Sequence, residues 1–213
     1  MLQHGLNPND QLIIYDVGSR DCEQSVEFYN QFLRAQIVAF ECNANTLPKC
    51  YAAAGPRRDR ITVIPKAVHE YDGVCTFFPI DQQKTITTWA DGNPGASSIF
   101  KSNGQYDIEH YVQNETTVEC TTLATASKEL NIDHIDVLWM DLQGAELLAL
   151  KGMGDLLKTV KFIHAELSFK EMYTGQAMCM DVHNFLIAND FSLITPLSGQ
   201  GWQEDGIYKN MKV

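Results

Sequence analysis

The chain has 213 residues, 45% hydrophobic and 20% charged, which suits one sizeable α/β domain and excludes a disordered chain. Its 16 Lys+Arg against 27 Asp+Glu leave a formal net charge of −11. A surface this acidic repels phosphate and anionic lipid, so no nucleic-acid or membrane partner is expected. No apolar run approaches the ~20 residues of a membrane span. The polar start lacks the basic-then-apolar build of a secretory signal, and the expectation is a cytoplasmic protein. None of the six cysteines (Cys22, Cys42, Cys50, Cys75, Cys120 and Cys179) lies in a Cys-x-x-Cys pair, so all six are read as reduced and mostly buried thiols.

Short apolar runs at 12–17, 37–40, 61–64, 74–78, 135–140, 162–167 and 191–194, with a weaker one near 206–208, read as strands buried on both faces. Helical stripes lie between them: Cys22, Val26, Tyr29 and Leu33; then Leu123, Ala126 and Leu130. Leu147, Leu150, Leu157 and Val160 mark one long helix, and Val182, Phe185 and Leu186 a late one. Alternation of strand and helix predicts a single doubly wound α/β domain over 1–213, with a mostly parallel sheet and helices on both faces. Segment 81–116 keeps neither period and carries Trp89, Tyr106 and Tyr111; a stretch this long without regular structure reads as a lid or substrate loop.

Ligands of such sheets bind beyond the carboxyl ends of the strands. After the first strand comes Asp16-Val17-Gly18-Ser19-Arg20-Asp21-Cys22, where Gly18 permits a tight turn and the next helix offers amide donors to an anion. The second strand ends in Phe40-Glu41-Cys42-Asn43, and an acid there is placed for ribose hydroxyls. Together they point to an adenosine-type ligand. The plainer alternatives are an ordinary turn and a solvated acid. The turn lacks the G-x-G-x-x-G series, which disfavours NAD. The strand at 135–140 delivers Asp141, and the next strand ends in His164-Ala165-Glu166. Asp141 and Glu166 are therefore candidate bases, with His164 the runner-up. For Glu166 the alternative is a cap or ion-pair partner, and for His164 a hydrogen-bonded core residue. Two carboxylates without a third ligand do not define a metal site, so no metal is expected.

The run Ile135-Asp136-Val137-Leu138-Trp139-Met140-Asp141-Leu142-Gln143-Gly144-Ala145-Glu146, continuing to Leu150-Lys151-Gly152, resembles the signature of the FkbM family of S-adenosylmethionine-dependent methyltransferases. Ile14-Tyr15-Asp16-Val17-Gly18 is similar to that family's first cofactor motif and Ala39-Phe40-Glu41 to its second. Pro65-Lys66-Ala67-Val68 falls where the third flanks adenine, and Ser97-Ser98 resembles the serine pair of its central loop. The resemblance implies a Rossmann-like class I methyltransferase fold with an antiparallel strand near the carboxyl terminus, and S-adenosyl-L-methionine as cofactor. It places Asp16, Gly18, Ser19 and Arg20 at the methionine end, Glu41 at the ribose, and Cys42 among the cofactor-binding residues. Ala67 and Val68 would lie near adenine, Ser98 in the central loop, and Asp141 beside the sulfonium or acceptor. The activity it implies is O-methylation of a hydroxyl on a sugar, glycan or natural product. The alternative, motivated by Arg20 and Cys22 in the turn, is a degenerate relative that binds a ligand or partner without catalysis.

Overall fold

The computed structural model describes residues 5–213. The chain runs β1 (Ile13–Val17), α1 (Glu23–Gln31), β2 (Gln36–Phe40), α2 (Leu47–Ala54), β3 (Ile61–Ile64), β4 (Ala67–Val68) and β5 (Gly73–Phe77). It continues with β6 (Thr116–Thr121), α3 (Leu123–Glu129), β7 (Val137–Met140), α4 (Glu146–Lys151), β8 (Phe162–Ser168), α5 (Cys179–Ala188), β9 (Phe191–Leu193) and β10 (Gln203–Asn210). Seven strands form the main sheet in the order β3-β2-β1-β7-β8-β10-β9. The first five of these are parallel, while β10 is antiparallel to both β8 and β9.

The period of two explains which face each strand residue serves. Tyr15, Val17, Leu138, Met140, Ile163 and Ala165 pack with Leu123, Leu150 and Leu186 of α3, α4 and α5. Ile14, Ile37, Ala39 and Val137 pack on the opposite face with Phe28, Cys50 and Ala54 of α1 and α2. Among the described residues no helix is long and apolar enough to cross a membrane.

Four expectations are corrected. The run at 74–78 forms β5 of a separate three-stranded sheet, β4-β6-β5, instead of joining the main one. The long helix over 147–160 is α4 followed by a 3-10 turn, Gly154–Thr159, because Gly154 sits at φ +54 and breaks the α-helical path. The inner stripe of α1 is Cys22, Ser25, Phe28 and Phe32, while Leu33 is exposed. The helix ends at Gln31 and Phe32 is extended, so a helical period carried to Leu33 misplaces it. Cys22 and Cys50 form a disulfide, Cα atoms 4.8 Å apart, which replaces the expectation of six reduced thiols. Packing of α1 beside α2 brings together two residues 28 apart in sequence, a proximity no local spacing reports. Cys42, Cys75, Cys120 and Cys179 are free.

Candidate active site

β1 and β7 are neighbours at the point where strand order reverses, so their following loops meet in one crevice. Gly18 stands at φ +89, and a Cβ there would lie 1.9 Å from the Asp141 carbonyl oxygen. Only glycine allows the two turns to approach this closely. The Gly18 and Ser19 N–H groups donate to the Phe40 carbonyl at 3.1 and 2.9 Å, and the Ser19 hydroxyl donates to the Asp16 carbonyl at 2.7 Å. These donors therefore build the turn. The Asp16 carboxylate accepts from the buried Ser25 hydroxyl at 2.5 Å, and burial pushes its pKa up to about 6. That bond explains why a serine occupies the inner face of α1.

One pocket at this seam is lined by Gly18, Arg20, Glu41, Cys42, Ala67, Val68, Ser98 and Asp141, all singled out in the sequence, together with Phe40, Phe77 and Ile99. The Glu41 carboxylate sits at the tip of β2, buried, and accepts from the Asn43 N–H at 2.6 Å. Burial pushes its pKa up to about 7 against the lowering effect of the Asn43, Arg20 and Cys42 amides. Burial likewise pushes the Cys42 thiol up, which leaves it protonated and unreactive. Ser98 donates to the Gln143 carbonyl at 2.9 Å and accepts from the Phe100 N–H at 3.0 Å, so its hydroxyl pins the pocket wall.

Asp141 and Glu166, from adjacent strand ends, meet in the crevice. The Gln143 side-chain amide donates to Asp141 Oδ1 at 2.6 Å and to Glu166 Oε2 at 2.8 Å. Gln203 donates to the same Glu166 oxygen at 2.6 Å. Asp141 opens to the cleft while protein groups crowd its other sides, and the raised pKa follows from that crowding. Glu166 is half-buried and raised well above the usual carboxylate range, first by burial and then by the Asp141 charge. Among the described residues Glu166 caps no helix and pairs with no cation, so neither of its structural alternatives describes it. His164 is buried, stacks on Trp139 with ring centroids 3.5 Å apart, and places Nε2 3.4 Å from Asp205 Oδ1. Its Nδ1 has no partner; buried and facing Asp205 through Nε2, it matches the hydrogen-bonded core residue that is the alternative to a base. It lines, with Asp16, Ser19, Trp139 and Glu166, the depression beside the turn.

On the other side of Asp141 and Glu166 opens a cleft of about 320 Å³ walled by Trp89, Tyr106, Ile108, Glu109 and Tyr111 from segment 81–116. Apart from a 3-10 turn, Pro94–Ala96, the segment is held by short bridges and side chains. Glu109 is buried and accepts from the Thr87 hydroxyl and, at 2.7 Å, from Asn93 Nδ2. Tyr106 packs edge-on against Trp202, and Tyr111 stacks on Tyr173. The Arg20 guanidinium reaches Asp91 at 2.5 Å and lies 5.1 Å from the Trp89 ring centroid. Thus Arg20 lines the pocket but ties its cation to the segment above. Gln143, Tyr173, Gln203 and Glu109 were not singled out in the sequence; only Gln143 lay in a recognisable motif.

Glu146, fully buried at the start of α4, accepts the Leu142 N–H at 2.8 Å. Burial raises its pKa from 4.5 to about 7. The folded state then binds more protons than the unfolded one between these values, so stability falls as pH rises through that window, by about 3 kcal/mol at most. Glu146→Gln keeps an acceptor for Leu142 and is expected to flatten the decline of Tm between pH 4.5 and 8. Calorimetry across that range checks this; an unaltered slope would contradict it.

A mostly parallel, doubly wound sheet with a glycine turn on β1, an acid at the tip of β2 and an acid at the tip of β7 defines a Rossmann-like methyltransferase fold. The Methyltransferase FkbM domain model matches residues 16–193, and the chain belongs to the FkbM methyltransferase family. It is 26% identical over 203 residues to 2-O-methyltransferase NoeI of Sinorhizobium fredii (strain NBRC 101917 / NGR234), covering 94% of this chain and 80% of that one. The crystal structure of methyltransferase FkbM from Methylobacillus flagellatus KT aligns with 96% of this chain at a TM-score of 0.58 and 13% identity. The chain spans 44% of that protein's length. The Methanococcus jannaschii fibrillarin pre-rRNA processing protein aligns at a TM-score of 0.55 and 9% identity, covering 96% of this chain and 69% of that one; both structures show the shared fold. Family membership supports S-adenosylmethionine as the cofactor.

Proposed function

We propose that this chain is an S-adenosylmethionine-dependent O-methyltransferase acting on a hydroxyl of a sugar, glycan or similar polyol-bearing small molecule. The observation that carries the reading is the Asp141–Glu166 pair: Asp141 lines both the Glu41 pocket and the aromatic cleft, and Glu166 lines the cleft beside it. The relative named as a 2-O-methyltransferase supports oxygen as the methylated atom.

The residues fit the cofactor. Glu41 offers carboxylate oxygens to ribose hydroxyls, and Phe40, Ala67, Val68, Phe77 and Ile99 form an apolar slot for adenine. Asp16, Gly18, Ser19 and Arg20 adjoin the methionine end, and Asp141 lies where a cationic sulfur gains from a nearby anion. When bound, S-adenosylmethionine supplies an electrophilic methyl group on a sulfonium. Asp141, open to the cleft, would accept the proton of an acceptor hydroxyl, and the cofactor, its methyl–sulfur bond broken, would leave as S-adenosylhomocysteine. The crevice walls would keep acceptor and cofactor together. Segment 81–116, with Trp89, Tyr106 and Tyr111, covers the acceptor as a lid, and faces of this kind stack on sugar rings. Neither metal nor nucleic acid enters this reading.

Transfer of labelled methyl from S-adenosylmethionine to fractionated glycans and small molecules tests it. Thermal shift with S-adenosylhomocysteine separates it from a degenerate binding protein, since a ligand of the native state raises the midpoint; no shift at saturation favours the alternative. Glu41→Ala is expected to weaken S-adenosylhomocysteine binding by about 1.5–3 kcal/mol, the scale of hydrogen bonds to a charged acceptor. Titration calorimetry measures it, and unchanged affinity removes Glu41 from the ribose.

A further inference from the structure

Resting on the methyl-transfer reading above, we infer that Gln143 is the positioning residue of the carboxylate pair: one side-chain amide takes one oxygen from each acid, leaving Glu166 as the protonated member and Asp141 to face the acceptor as base.

The geometry is specific. A primary amide has two N–H donors, and here they go to Asp141 Oδ1 and Glu166 Oε2, at 2.6 and 2.8 Å. Turned the other way round, the amide would set its oxygen against the oxygens of both carboxylates and lose both donated bonds. Its own oxygen lies 2.9 Å from the Tyr173 hydroxyl, whose one proton it shares with the Ala96 carbonyl at 2.8 Å, and Tyr173 is wholly buried. Burial holds that phenol well above its ordinary pKa, so it remains a donor. The Gln143 backbone is fixed as well: its carbonyl accepts from Ser98, and φ is +51, a left-handed conformation that costs a side-chain-bearing residue about 1–2 kcal/mol. An unfavourable backbone angle retained at a site agrees with a placement that the surrounding contacts enforce.

The amide also sorts the two acids. Glu166 Oε2 receives both Gln143 and Gln203, which leaves Oε1 free of both amides, and the neighbouring Asp141 charge favours the protonated form of Glu166. Asp141 is the member open to the cleft. One acid is thereby kept protonated and the other ionised, two roles set by surroundings rather than by residue type. A glutamate at position 143 would instead set a third carboxylate against Asp141 and Glu166 and would supply no N–H.

Gln143→Met keeps the chain length and removes both donors. Loss of donors to a carboxylate disfavours its charged form, so the apparent pKa of Asp141 rises. The acidic limb of the kcat profile is expected to move up by about one pH unit, with turnover near neutrality down about tenfold and recovering at higher pH. A residue that merely shaped the pocket would lower kcat equally at every pH, and that outcome overturns the proposal. Carboxyl carbon NMR titration of the S-adenosylhomocysteine-bound protein reads the same shift without any acceptor: an Asp141 midpoint raised by about one unit supports the role, and an unmoved midpoint rejects it. Should Gln143→Met fail to fold, Gln143→Asn, too short to reach both acids, carries the same two expectations. Because the titration needs no turnover, a wild-type protein that methylates nothing would defeat the methyl-transfer reading alone.

Discussion

Asp141→Asn is expected to lower kcat by about a hundred- to ten-thousandfold, the range associated with loss of a positioned general base. An asparagine has nearly the same shape and can still accept the Gln143 amide through its oxygen, yet it cannot receive a proton. On the proposed reading Asp141 acts ionised, and its pKa is raised, so the wild-type rate should climb with pH through that elevated value. The variant should lose this limb. S-adenosylhomocysteine, which carries no sulfonium charge, should bind within about threefold of wild type, under about 1 kcal/mol. Single-turnover kinetics over pH 5–9 with parallel calorimetry decide the matter. Near-normal rates would make Asp141 a structural residue.

Gly18→Ala carries the second large effect, and it acts on stability. The left-handed backbone at φ +89 and a Cβ 1.9 Å from the Asp141 carbonyl oxygen leave no room for a methyl group. The clashing atom is backbone of the adjoining turn, so relief requires β1 and β7 turns to separate. The conformational penalty is about 1–2 kcal/mol and the overpacking about 1–3 kcal/mol. For a chain of this size, about 2–5 kcal/mol corresponds to a Tm lower by about 5–15 °C. Scanning calorimetry measures it; a Tm within about 2 °C of wild type, under about 1 kcal/mol, would show that the turns yield freely. Such separation would also displace Asp141 from its place beside the pocket, so stability and cofactor affinity should fall together.

The strand readings succeed for a simple reason. Runs such as Ile37–Phe40 are apolar because both faces of a parallel strand are covered, and that requirement is local. The acids at strand ends stand out equally well: Glu41 and Asp141 interrupt apolar runs where the chain leaves the core. The period of α1 misleads because Ser25 is polar yet buried, satisfied by Asp16 from β1. A polar residue on an inner helical face cannot be recognised until its partner is known. The pair Cys22 and Cys50 fails for the same cause, and β5 too, since an apolar run does not say which sheet it will join.

The sequence alone determined the alternation of strand and helix, the family signature and the acids at the strand tips, because each depends on neighbours within a few residues. Only the tertiary structure decided which polar groups remain for a ligand. It turned the Gly18 and Ser19 amides to Phe40, tied Arg20 to Asp91, and set Gln143 between Asp141 and Glu166 under the Tyr173 hydroxyl. Hydrogen bonds are short and directional, so partners distant in the chain become visible only when the fold has brought them within reach.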